Sequence, residues 1–219
     1  HLGPSLAVDL PGRAGKPAEL PTLTVDAEVA SVVGDIRAAG IDGPIRLVVH
    51  SSGGLVVPGV LTALGDQVTS VVLNAASVPP EGGCGLDCMQ PRHAEGVRWA
   101  LAEAAKRGEP MLTSGPPADP EKFRNAYGGP PLTDEVLSYV VDPARCVVDT
   151  MNHYLQPISW QSAPRVPVRY IANQLDRPVP IEIQREMIAR LPVDADVVEI
   201  ESGHIPAVVD PEGFAELLG

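Results

Sequence analysis

The chain has 219 residues, 44% of them hydrophobic, a formal net charge of −12 and three cysteines. That length fits one large domain, or a core domain with a modest insertion. The acidic balance argues against a nucleic-acid-binding surface or a polybasic membrane patch. No stretch approaches the ~18 consecutive apolar residues of a membrane span, and the first residues lack a basic and then apolar leader pattern. Cys84, Cys88 and Cys146 have no metal-ligand spacing around them and read as reduced, structural thiols. A cytoplasmic location is the default expectation, and neither a metal nor an organic cofactor is called for.

In chain order, Ser5–Leu10 is the first short apolar run that reads as an interior strand of a parallel sheet. Buried on both faces, such strands need not alternate polar and apolar residues. The stretch "TVDAEVASVVGDIRAAG" follows, with Val25, Val29, Val32, Val33 and Ile36 at helical spacing. Thr24 or Asp26 could cap it and Gly40 could end it. Ile45–His50 is a second strand, and Leu55–Leu64 a second helix that tolerates Pro58 only near its first turn. Val68–Asn74 is a third strand.

From Val78 to about Pro164 the character changes. Helical pieces are expected at Ala94–Lys106, Pro120–Ala126, Thr133–Val140 and Pro143–Leu155, among clusters such as "SGPPADP" and "YGGPP". No core strand is apparent there. The alternating pattern then returns: a strand at Val166–Asn173, a helix at Ile181–Leu191, a strand at Ala195–Ile200 and a helix at Pro211–Leu218. Strands and helices taking turns predict a mostly parallel, doubly wound α/β sheet. The expected organisation is a first core part (1–77), a helical cap insertion (78–163) and a second core part (164–219).

The chemistry gathers at three strand ends. "LVVHSSGG" is a strand, a sharp turn and a helix start, with Ser51 at the apex. Such a turn lifts a hydroxyl above the sheet and sets its backbone beside free N–H groups at a helix N-terminus. Gly53 and Gly54 supply the small residues needed on one side, whereas Val49 stands where G-x-S-x-G has glycine. A Ser-Gly turn that only caps the next helix is an equal reading of this stretch alone. Asp176 in "YIANQLDRPVP" and His204 in "VVEIESGHIP" shift the balance. Each follows a predicted strand, and the carboxyl ends of parallel strands share one edge. A serine hydroxyl needs a base, and that imidazole needs an anion to fix its tautomer. Ser52 is a possible alternative nucleophile and Glu201 a possible substitute acid, both ranking behind Ser51 and Asp176. His93 could line a pocket or lie on the surface.

"LAVDLPGRAGKP", "LVVHSSGGLVV", "VVLNAASVPP", "VRYIANQLDRPVP" and "IESGHIPAVVDPEGFAELL", in this order, resemble the α/β-hydrolase-fold serine hydrolases. The likeness is greatest to small bacterial esterases related to plant methylesterases and hydroxynitrile lyases. The resemblance implies Ser51 as nucleophile, His204 as general base and acid, Asp176 as its orienter and the Ser52 backbone N–H as one oxyanion donor. His50, His153, Trp160 and Ile205 become pocket candidates, with packing or hydrogen bonding inside the fold the better reading of His50 than catalysis, and surface placement an equal reading of His153 and Trp160. The implied activity is cleavage of a small-molecule carboxylic ester.

Members of that superfamily carry a further strand and loop ahead of the equivalent of "LAVDLPG", and the loop supplies the second oxyanion donor. That donor is therefore expected upstream of His1, and the native polypeptide is expected to extend in that direction. Two alternatives stay open. One is a hydroxynitrile-lyase-like reaction on the same residues, disfavoured because Ile205 stands where the plant lyases have lysine. The other is a hydrolase-fold ligand-binding protein with weak catalysis.

Overall fold

The computed structural model describes residues 3–113 and 115–218. Its centre is a four-stranded, wholly parallel sheet made of β1 (Ile45–His50), β2 (Val68–Asn74), β3 (Val168–Asn173) and β4 (Asp196–Ile200), paired in chain order. α1 (Val25–Ala38) leads into β1, and α2 (Val57–Leu64) connects β1 to β2. Between β2 and β3 lie α3 (Pro91–Arg107) and α4 (Asp134–Val141) with three short 3₁₀ turns. α5 (Ile181–Ala189) joins β3 to β4, and the short α6 (Pro206–Val209) and α7 (Pro211–Leu217) close the chain.

Local chemistry accounts for most of these boundaries. The Thr24 side chain accepts the Ala27 N–H at 3.2 Å and starts α1, a cap worth about 1 kcal/mol. Gly40, at φ +66°, turns the chain away from the helix end in the left-handed conformation that glycine adopts without cost. Pro58 sits in the first turn of α2, where its missing N–H leaves no helical bond unmade.

β2 and β3 hold the middle of the sheet and carry its most buried residues. Alternation along them splits the core. Val71, Leu73, Tyr170 and Ala172 belong to the larger cluster with Leu55, Val57 and Leu61 of the β1–β2 connection and Met187 of α5. Val72 and Ile171 meet Phe214 of α7 and Leu218 in a separate cluster. Helices thus cover both faces, the layering expected of parallel sheets. Each fully buried Leu, Ile or Val contributes roughly 1.5–3 kcal/mol relative to exposure.

Three expectations need correction. Ser5–Leu10 pairs with no strand among the described residues. Its Leu6 and Val8 are exposed, and its Asp9 carbonyl accepts the Lys16 ammonium instead of a ladder N–H. An apolar run becomes a strand only where a partner edge meets it, and β1 ends the sheet on that side with Val48 49% exposed.

Pro143–Leu155 is not one helix. Asp142 draws the N–H groups of Ala144, Arg145 and Cys146 into a single turn. Thr150 then bridges to Leu112, and only Asn152–Leu155 winds again, as a 3₁₀ turn. The third correction is smaller: the helix expected from Leu55 begins two residues later, as α2 at Val57, because Leu55 still belongs to the 3₁₀ turn Ser51–Leu55.

Candidate active site

The turn after β1 carries the first unusual backbone. Ser51 has φ +51°, which costs a residue with a Cβ about 1–3 kcal/mol and persists only where surrounding structure enforces it. Enforcement comes from the turn after β2, where the Ser77 N–H donates to the Ser51 carbonyl at 2.9 Å. Gly54 lies so close to Ser77 that an added Cβ would overlap its backbone. Val49 packs beneath the turn, and its Cγ1 would stand 3.0 Å from a Cβ on Gly53. The glycine on the far side therefore makes room for the valine where the G-x-S-x-G pattern has its first glycine.

Ser51 Oγ lies 3.0 Å from His204 Nε2, and His204 Nδ1 lies 2.7 Å from Asp176 Oδ2. His204 and Asp176 are 7% and 6% exposed, while Ser51 is half-buried. An ionised carboxylate only accepts, so Nδ1 carries the imidazole proton and Nε2 is free to accept the serine hydroxyl. Glu201 is exposed, and it is Asp176 that reaches the imidazole. Likewise it is Ser51, not Ser52, that faces His204.

A buried polar brace fixes the acid. The second Asp176 oxygen accepts the Val179 N–H at 2.8 Å. Gln184, fully buried on α5, accepts the Asn173 N–H at 2.9 Å and donates to the Asn173 and Val179 carbonyls at 3.0 and 2.7 Å. Asn74 at the end of β2 donates to Asn173 Oδ1 at 2.8 Å. The acid loop is tied to the histidine loop where the Leu175 N–H meets the Ser202 carbonyl at 3.0 Å.

Ser52 is the second residue of the 3₁₀ turn, so its N–H falls among the first few that have no acceptor within the turn. Burial raises the Tyr154 pKa above the usual tyrosine value, and the nearby Ser52 hydroxyl opposes that rise.

The pocket candidates separate. The His50 Nε2–H donates to the His204 carbonyl at 2.7 Å, and its ring lies 4.6 Å from the His204 ring. Desolvation first, and the neighbouring His204 second, lower the His50 pKa to about 4, against an opposing effect of the carbonyl bond. His50 is exposed at the β1 edge, where water screens much of that desolvation, and the imidazole is neutral at pH 7. Ile205 is half-buried immediately before α6.

His153 is buried, 6% exposed, with Nδ1 3.2 Å from the equally buried Glu28. Trp160, 3% exposed, is a core residue in the same cluster as Leu61 and Val168. An indole offers more apolar surface to bury than any other side chain in that region. His93 is exposed. Among the described residues no group of three or more His, Cys, Asp or Glu side chains is placed to hold a metal ion, and no helix is long and apolar enough to cross a membrane.

Tyr127 is the neighbour that spacing does not reveal. Its carbonyl accepts the His204 N–H at 2.8 Å and the Arg177 N–H at 3.4 Å. Its ring lies parallel to the His204 imidazole, within 3°, at 6.3 Å between centroids. The only local hint is the Gly128–Gly129 pair that follows it.

A family model described as "Alpha/beta hydrolase family" matches residues 2–217. A search of curated proteins finds no significant match. Among solved structures, the chain is similar to an extracellular α/β-hydrolase from a Paenibacillus species at 16% identity and a TM-score of 0.77. That alignment covers 96% of this chain and 84% of the other. It is also similar to an esterase from Exiguobacterium antarcticum at 12% identity and a TM-score of 0.70, covering 96% and 78%. A pyrethroid hydrolase from Sphingobium faniae matches at 20% identity and a TM-score of 0.66, covering 96% and 82%.

Proposed function

The chain belongs to the α/β-hydrolase family, and from that premise we propose that it is a carboxylic ester hydrolase that works through an acyl-enzyme on Ser51. The observation that carries this reading is the continuous hydrogen-bonded line from the hydroxyl of the half-buried Ser51 through His204 to the buried Asp176 carboxylate. The structural neighbours that are esterases and hydrolases support the class of reaction.

In this reading Ser51 Oγ attacks the ester carbonyl carbon while His204 Nε2 takes the hydroxyl proton. Asp176 stabilises the resulting imidazolium without itself being protonated. The Ser52 N–H donates to the oxyanion, an interaction whose loss typically costs about 2.7–4 kcal/mol of barrier. Collapse expels the alkoxide, which receives the proton from Nε2. Water then attacks the acyl carbon, gives its proton to Nε2, and the carboxylic acid leaves as Ser51 is reprotonated. The strained Ser51 backbone holds the hydroxyl at the rim of the sheet throughout. The segment between β2 and β3 would bound the substrate pocket, as a helical cap.

A panel of p-nitrophenyl esters, lactones and methyl esters tests the proposal. The expected result is ester turnover with an initial burst of p-nitrophenol, abolished in Ser51→Ala. Undiminished turnover in that variant would refute it.

A further inference from the structure

We propose that Tyr127 is a positioning residue for His204, and that the Tyr127–Gly129 strap makes the alignment of the imidazole depend on the segment between β2 and β3. The inference rests on the ester-hydrolase reading for its kinetic consequences, though not for its geometry.

Two residues grip His204, each at its main chain and at its ring. Tyr127 accepts the His204 N–H and lays its ring parallel to the imidazole. His50 donates to the His204 carbonyl and packs its own ring at 51° on the imidazole. Offset parallel rings at this separation lie inside the range of favourable aromatic contact. Phe123 backs the Tyr127 ring edge-on at 6.2 Å. The imidazole is thus confined in the plane that presents Nδ1 to Asp176 and Nε2 to Ser51. His50 belongs to the rigid sheet edge, whereas Tyr127 reaches the site from the segment outside the sheet.

The strap has a sequence built for this approach. Gly128, at φ +81°, bridges to Asp176, and an added Cβ there would overlap the Leu175 carbonyl. Gly203, just before His204, comes so close to the Gly128 carbonyl that it too has no room for a side chain. Gly129, at φ +69°, then turns the chain away beside Gly203. Three glycines therefore let one backbone pass between the loops that carry the acid and the base. A displacement of the strap by about 1 Å would rotate the imidazole off the serine, an error that can cost on the order of a hundredfold in rate.

The test compares Tyr127→Leu and Tyr127→Phe in the full chain. Tyr127→Leu keeps the carbonyl and removes the ring. It is expected to lower kcat at least tenfold with KM changed less than twofold. Tyr127→Phe keeps both and is expected to retain activity within twofold of the parent. Proton NMR gives a readout that needs no turnover. The far-downfield Nδ1–H resonance of His204, bound to Asp176, should broaden or shift in Tyr127→Leu and persist in Tyr127→Phe. An unchanged kcat and an unchanged resonance in Tyr127→Leu would overturn the proposal. If the parent protein cleaves no ester, the function reading fails, and the resonance alone then decides the fate of the strap.

Discussion

The ring nitrogen of His50 that donates to the His204 carbonyl, at 2.7 Å, links the residue before Ser51 to the residue whose imidazole lies 3.0 Å from the Ser51 hydroxyl. The bond ties β1 to the loop after β4, two strands at opposite ends of the sheet. The link carries a pH signature. The folded-state pKa of His50, about 4, lies below the model-peptide value near 6.5, so between these pH values the unfolded chain binds a proton that the folded chain does not. Its contribution to stability is fully present above pH ~6.5, falls as the pH drops and is gone below about 4. In His50→Asn the midpoint of urea unfolding should decline less steeply between pH 6.5 and 4 than in the parent. Identical slopes would show that His50 titrates normally.

Asp176→Asn should leave the fold intact and cripple the chemistry. The amide is nearly isosteric and can still accept from the Val179 N–H. Turned toward Nδ1, its NH₂ group would favour the imidazole tautomer that has no free Nε2 for the serine hydroxyl. A fall in kcat on the order of 10⁴-fold is expected, with a melting temperature within a few degrees of the parent. Steady-state kinetics and a thermal scan check both halves of this statement.

Gly54→Ala probes the elbow. The new Cβ would collide with the Ser77 backbone, which also holds the Ser51 carbonyl. Overpacking against main-chain atoms costs about 1–3 kcal/mol, and the substitution should also slow acylation of Ser51. Gly34→Ala, on an open stretch of α1, serves as the control: with nothing within 4 Å of the new Cβ it should stabilise the protein slightly. Urea midpoints of the two variants should move in opposite directions.

Gln184→Leu should destabilise by about 2 kcal/mol or more. It would strip partners from the buried Asn173 N–H and C=O and from the partly buried Val179 carbonyl. Chemical denaturation measures the loss. Because these groups shape the loop that carries Asp176, activity should fall beyond what the unfolded fraction explains.

Most of the sheet was legible because its signals are local. Val68–Asn74 centres on the apolar stretch Val71–Leu73, and β2 occupies those same residues. The helical spacing of Val25 to Ile36 and the Thr24 cap locate α1 to within a residue or two. Ser51, Asp176 and His204 were legible for a related reason: each closes a strand pattern, and parallel strands share a carboxyl edge. Ser5–Leu10 carries the same local pattern, but strand formation there depends on a partner that local sequence does not display. Pro143–Leu155 failed because the Asp142 turn outcompetes a helix. The apolar character of Trp160, equally, does not say whether it faces a pocket or the core. Tyr127 was out of reach because its meaning is a contact across more than seventy residues, hinted at only by two consecutive glycines.

The central claim is that Ser51 is the activated nucleophile, and covalent capture tests it most directly. A serine-directed fluorophosphonate, followed by peptide mass mapping, should give one adduct per chain at Ser51, and none there in Ser51→Ala. No adduct on folded protein, or an adduct confined to another serine, would contradict the account.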